Sequence, residues 1–246
     1  MQQRHLPKIL WLLWLQGWSE APPVARACLQ SWRRLNPAWE IRAIDGRTFS
    51  RYVSPNAFAR IAAVPKEPEA FADQIRIELL YTHGGVWADA TAMCARSLDD
   101  WLPQRMASGF FAFERPTEDR VIASWFLAAS VGSEIVAKWR ASVAAYWIGR
   151  ESRHDYFWFH RLFGMLYEDD RGFRSQWDAT PSLPARHPFH FGPEDRRLIA
   201  APTPDYIAAL ASPPSPVFKL THKLSENPGP NSLLQALCDF GCGVSS

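Results

Sequence analysis

The sequence predicts an α/β fold in one continuous domain, with a helical and loop-rich second half. Three observations carry that prediction. Short apolar runs alternate with helical segments through the first half of the chain. Two strand-like segments, Lys8–Trp14 and Trp39–Ile44, flank one helical stretch at the spacing of a βαβ unit, whose crossover is right-handed. After Asp178 the chain becomes rich in proline and irregular. At 246 residues, 47% hydrophobic and 21% charged, the chain is long enough for a substantial core.

The elements follow in order. Lys8–Trp14 reads as a fully buried strand behind a basic start at Arg4, His5 and Lys8. Val24–Leu35 is helical after Pro22-Pro23 and is stopped by Asn36-Pro37. Trp39–Ile44 is a strand ending in the turn signal Asp45-Gly46. Thr48–Pro68, broken by Pro55, Pro65 and Pro68, reads as short helices and loops. Ala70–His83 is a helix closed by Gly84-Gly85, and Val86–Ala88 is a short strand that delivers Asp89 at its end. Gly109–Glu114 and Val121–Leu127 read as strands. Glu134–Trp147 and Tyr156–Tyr167 read as helices, with Asp155 as a cap. Val217–Thr221 is a late strand and Ser232–Phe240 a closing helix. Residues 1–130 form the α/β half and 131–246 the helical half.

Composition excludes several classes. With 27 Lys and Arg against 25 Asp and Glu, bulk electrostatics point to no nucleic-acid partner. Cys28, Cys94, Cys238 and Cys242 fit neither a disulfide framework nor a zinc site, so reduced thiols and a cytoplasmic location are expected. No segment has the length of a transmembrane helix. GxSxG, HExxH and P-loop signatures are absent from the sequence. The 12 Trp and 15 Phe suit either a heavy core or a ring-lined cleft for sugar-like ligands.

Chemistry concentrates between Asp73 and Thr91. Asp73 and Arg76, at i and i+3, share one helix face, where a solvated salt bridge is the plain alternative to a ligand clamp. Gly84-Gly85 lets the chain turn sharply, and Asp89 then sits at a strand's carboxyl end, where α/β sheets bind ligands. A carboxylate there suits a divalent cation beside a diphosphate. The pair Asp99-Asp100 reads as a helix cap, and Asp169-Asp170, followed by Arg171 and Gly172, as a solvated loop.

The window Asp73-Gln-Ile-Arg76, Leu79-Leu80, Gly84-Gly85-Val-Trp-Ala-Asp89-Ala-Thr91 resembles the sugar-binding, DxD region of capsular polysaccharide synthesis proteins and mannosyltransferase-like glycosyltransferases. The opening Leu6-Pro7-Lys8-Ile9-Leu10 with Trp14, and Asn36-Pro37 with Trp39-Glu40 and Asp45, fit the same group. Ser124–Ala129, Tyr156–His160 and Lys219-Leu-Thr-His222-Lys223 resemble the capsular branch, so the likeness runs nearly end to end.

The resemblance implies a GT-A-type, Rossmann-like nucleotide-sugar-binding fold. It implies a retaining bacterial hexosyltransferase of surface polysaccharide synthesis, with a glycan or lipid-linked acceptor. Such an enzyme is expected in the cytoplasm or at the inner face of the plasma membrane. Trp14 would stack on the base, the alternative being a core tryptophan, and Asp45 would bind the nucleoside or merely close its turn. Asp73 and Arg76 would hold the donor sugar, and Lys219 and Lys223 the diphosphate. Manganese or magnesium would be held by Asp89, Thr91 and His222. Thr91 stands where the family has a second acid, and it is the best support for the rival reading, a non-catalytic nucleotide-sugar or glycan binder. A metal-dependent phosphohydrolase is a third reading.

Overall fold

The structure, a computed structural model, describes residues 5–64 and 67–244; Arg4 and Pro65, cited above, lie outside them. The chain begins with strand β1 (Ile9–Leu13), helix α1 (Pro23–Leu35) and strand β2 (Glu40–Ile44), then helices α2 (Pro55–Ala62) and α3 (Pro68–His83). Strands β3 (Gly85–Ala88) and β4 (Ala92–Cys94), helix α4 (Leu98–Trp101) and strands β5 (Phe110–Thr117) and β6 (Arg120–Ala129) follow. Helices α5 (Glu134–Tyr146), α6 (Trp158–Asp169) and α7 (Arg171–Asp178) precede β7 (Leu183–Pro184), α8 (Pro204–Ala211), β8 (Val217–Lys219) and α9 (Leu233–Cys242).

The main sheet has six strands in the order β2-β1-β3-β6-β5-β7, and β4 and β8 form a separate antiparallel pair. The β2-β1-β3 part is parallel, and β6 runs antiparallel to β3. Side chains alternate between two cores with the period of a strand. Trp11 and Leu13 of β1 pack with α3, α5, α6 and α7, while Leu10 and Leu12 pack with α1 and α4. A third cluster joins α1, the β4–β8 pair and α9 through Cys28, Met93, Phe218 and Leu237.

The Gly84-Gly85 turn has a steric cause beyond its backbone freedom. Both residues take positive φ, 64° and 87°. A Cβ on Gly85 would lie 2.4 Å from the Ile9 carbonyl oxygen, and one on Gly84 would lie 2.8 Å from that of Ala129. Only bare backbone lets β3 pass so close to β1.

Several elements depart from expectation. β4 and α8 were not anticipated, and α7 replaces the loop expected after Asp169-Asp170. Asp170 caps α7 by accepting from the Phe173 N–H at 3.0 Å, and it also accepts from Lys138. Asp99 lies inside the first turn of α4 and makes no cap; its carboxylate accepts from Lys8 Nζ and the Trp39 indole. Asp155 precedes α6 by three residues and accepts from the Phe157 N–H. Cys28 and Cys94 are buried, and burial pushes their thiols above the ordinary range. Among the described residues no helix is long and apolar enough to cross a membrane.

Candidate active site

Parallel strands β1 and β3 end at the same sheet edge, and antiparallel β6 begins there. Trp14 follows β1 directly and Asp89 follows β3 directly, while Arg120, Ser124 and Trp125 come from β6. A cavity of about 460 Å³ opens at this edge. It is lined from the sheet by Trp14, Asp89, Thr91 and Arg120, and from α3 by Glu69, Asp73 and Arg76. The approach to α6 adds Tyr156, Phe157 and His160, and the late chain adds His190, Lys219, His222 and Lys223. Eight of the nine site residues expected from sequence thus meet in one cavity. Asp45 is the exception: its carboxylate accepts from Thr48 Oγ1 and the Arg47 and Thr48 N–H groups, which closes its own turn.

Asp73 and Arg76 are not a solvated pair. Arg76 is 5% exposed and Asp73 8%. Arg76 Nη1 lies 2.8 Å from Asp73 Oδ1, an ion pair off the hydrogen-bonding direction, and Nη2 donates to Asp89 Oδ1 at 2.9 Å. Its guanidinium also lies over the rings of Trp87 and Phe159. One turn of α3 therefore fixes the acid that β3 delivers. The Trp87 indole donates to the same Asp89 oxygen at 3.1 Å.

The β4–β8 pair brings in the late cations. Its register sets Lys219 opposite Ala92, and the Leu220 N–H donates to the Thr91 carbonyl at 2.8 Å. Lys219 Nζ then donates to Thr91 Oγ1 at 2.6 Å and stands 3.8 Å from Asp89 Oδ2. Lys223 reaches Glu69 across the cavity mouth at 3.4 Å. The His222 ring meets Trp14 edge to face, with centroids 5.2 Å apart.

Burial and charge set the protonation states. Burial would raise the Asp89 carboxyl, but Arg76, Lys219 and the Trp87 indole outweigh it and hold it below the usual carboxylate range. Burial pushes Asp73 up to about 7, with Arg76 opposing. Burial, Arg120 and Arg76 push His160 down to about 3, so it is neutral at physiological pH. His222 is lowered by burial and then by Lys223 and Lys219, and is likewise held in its neutral form. Four cavity residues carry buried polar atoms without a protein partner: Trp14 Nε1, Arg76 Nε, Trp125 Nε1 and His160 Nδ1. A bound polar ligand would relieve the cost of those unmet groups.

The donor set expected for a divalent cation does not fit one as it stands. Among the described residues no three His, Cys, Asp or Glu side chains come together to hold a metal. Asp89 faces two cationic side chains, and the Thr91 hydroxyl accepts from an ammonium.

Arg120, Glu69 and His190 line the cavity but carried no sequence signal strong enough to single them out. Arg120 sits 4.0 Å above the Phe157 ring, a contact between distant segments that no local motif marks. His187-Pro-Phe-His190-Phe, an aromatic and histidine cluster inside a proline-rich stretch, was the available clue for His190.

The fold is that of a solved glycosyltransferase. The solved structure titled PaToxG Glycosyltransferase superposes with a TM-score of 0.50 over 71% of this chain and 74% of that one. At 15% identity that likeness is one of fold. The chain belongs to the capsular polysaccharide synthesis protein family, whose model matches residues 1–237. It is also similar to the O-glycosyltransferase PaGT of Phomopsis amygdali, 28% identical over 59% of this chain and 40% of that protein. The O-glycosyltransferase braB of Annulohypoxylon truncatum is 28% identical over 61% of this chain and 40% of its own length. The chain thus matches well under half the length of these curated fungal relatives.

Proposed function

We propose that the chain is a nucleotide-sugar-dependent glycosyltransferase that moves a hexose-type sugar onto a hydroxyl of a glycan or lipid-linked saccharide. The observation that carries this reading is the meeting of Trp14, the Asp73–Arg76–Asp89 cluster and the Lys219–Lys223 segment in one cavity at the carboxyl edge of a parallel sheet. The family's name supports a role in capsular or other surface polysaccharide synthesis, in the cytoplasm or against the inner membrane face. The relatives named O-glycosyltransferases support an oxygen acceptor.

Each group then has a task. Trp14 stacks its ring on the base, with an unpartnered indole N–H beside it. Asp73 and Arg76 meet the sugar hydroxyls, while Asp89 holds Arg76 and Lys219 in place. Lys219 and Lys223 take the charge of the departing diphosphate. Tyr156, Phe157, His160 and Arg120 shape the acceptor side. The cluster presents no carboxylate free of a cationic partner to act as nucleophile, which favours front-face transfer with retention. In that step the bond from the anomeric carbon to the phosphate oxygen breaks and its electron pair leaves with the diphosphate. The acceptor oxygen bonds the same face, and its proton passes to the departing phosphate.

The test is release of nucleoside diphosphate from a panel of nucleotide sugars, with and without added hydroxyl acceptors. Turnover in wild type and its loss in Asp89→Asn are expected. Binding without release by wild type supports the non-catalytic rival, and phosphate release from simple esters supports a phosphohydrolase.

A further inference from the structure

The point between Asp89 and Thr91 is already filled by a cation of the chain itself. Lys219 Nζ stands 2.6 Å from Thr91 Oγ1 and 3.8 Å from Asp89 Oδ2, and it also contacts the Leu220 carbonyl at 3.3 Å. This placement is built into the backbone, through the pairing of Lys219 with Ala92 and the bond from the Leu220 N–H to the Thr91 carbonyl. The Lys219 side chain is 19% exposed, so it has little room to swing away. Magnesium would need oxygen ligands at about 2.0–2.1 Å, and a divalent ion bound to both Asp89 and Thr91 would crowd the ammonium.

Charge counting points the same way. Asp89 is the sole carboxylate of the Asp89-Ala-Thr91 segment, and Arg76 and Lys219 both face it. Arg76 also pairs with Asp73, so two carboxylates face two cations and leave no surplus negative charge for a divalent ion. A second acid in place of Thr91 would supply that surplus. The threonine instead accepts from Lys219 and keeps its own hydroxyl proton to donate to a phosphate oxygen.

We propose that the Lys219 ammonium, seated on Asp89 and Thr91, takes the place of the divalent cation, so that the nucleoside diphosphate is bound and released without a metal. The inference rests on the nucleotide-sugar reading above. When the glycosidic bond breaks, the electron pair passes to the terminal phosphate oxygen. The fixed charge of Lys219 and the Thr91 hydroxyl meet the charge that develops there, and no proton leaves Lys219.

The experiment is calorimetric titration of the protein with a panel of nucleoside diphosphates, once in EDTA and once in saturating manganese. For the diphosphate that binds, the expected dissociation constants differ by less than about threefold after allowance for the metal–nucleotide complex. Lys219→Met is expected to weaken binding in EDTA at least tenfold, with circular dichroism showing the variant folded. The wild-type comparison needs no variant, so it decides even if Lys219→Met does not fold. Binding that is lost in EDTA and restored by manganese overturns the proposal and leaves the glycosyltransferase reading standing. Binding of no nucleoside diphosphate in either arm overturns both.

Discussion

Arg76 has the most interactions to lose. Its guanidinium faces two carboxylates and two aromatic rings from inside the protein. Removing one partner of a buried ion pair leaves the other charge unpaired, at a cost of about 3–5 kcal/mol. Arg76→Ala is expected to lower the unfolding free energy by that order in a urea titration and to abolish use of the nucleotide sugar. An effect below about 1 kcal/mol would return the pair to an ordinary surface bridge. Trp14 carries a different expectation, since it stands beside His222 at the rim and not in the deep core. Base stacking is worth about 1–3 kcal/mol in single-stranded nucleic-acid systems. Trp14→Ala should therefore weaken the nucleoside diphosphate tenfold or more while leaving the melting temperature nearly unchanged. Equal affinity in the variant would make Trp14 a wall residue only. At this scale the sequence was legible where spacing is local, as with Asp73 and Arg76. It was opaque where the partner lies far along the chain: nothing near Thr91 announces that Lys219 will sit on its hydroxyl.

Elements bounded by strong punctuation were readable for the same reason. Pro23 at the first turn of α1 and Asn36 at its end mark that helix in sequence and in space. Helix α7 was hidden because Asp170-Arg171-Gly172 looks like a turn, whereas Asp170 in fact caps a helix whose Phe173 and Trp177 are buried. Asp170→Ala should cost about 1 kcal/mol, typical of a lost cap, and lower the melting temperature by about 2–4 °C. β4 escaped notice because three residues carry no periodicity; its partner β8 defines it. The glycine turn before β3 makes the sharpest demand at this scale. Gly85→Ala would force a Cβ to within 2.4 Å of the Ile9 carbonyl oxygen at a φ of 87°. β1 and β3 would have to separate, so severe destabilisation is expected, visible as a lost or much lowered thermal transition. A variant melting near wild type would mean the strands can part without penalty.

Across the whole molecule, the alternation of buried residues in β1 is what lets one sheet serve two cores and leave its carboxyl edge open for the cavity. That arrangement was legible in outline, since the strand and helix order implied it. The antiparallel run of β6 was not, although it brings Arg120 and Trp125 to the site. Burying so many titratable groups at one edge makes stability depend on pH. His160 is pushed from its ordinary 6.5 down to about 3, so the unfolded chain takes up a proton through that window while the folded chain does not. Stability from this residue is therefore present above about 6.5 and is lost as pH falls towards 3. His187, lowered to about 4 by burial, acts in the same sense. Asp73, raised from 3.8 to about 7, acts oppositely: its contribution fades as pH rises between those values. His160→Phe removes one component alone, and melting curves between pH 4 and 7 should show a shallower acid decline in the variant. An unchanged slope would mean His160 is protonated in the folded state.

The central claim, that this cavity binds a nucleotide sugar, is tested most directly by thermal denaturation with a panel of nucleotide sugars. A ligand present at a hundred times its dissociation constant stabilises by about 2.7 kcal/mol. For a chain of this size that is a rise of roughly 5–10 °C. One nucleotide sugar is predicted to produce such a rise in wild type and a clearly smaller one in Trp14→Ala. A melting temperature unmoved by every nucleotide sugar would contradict the assignment of this cavity.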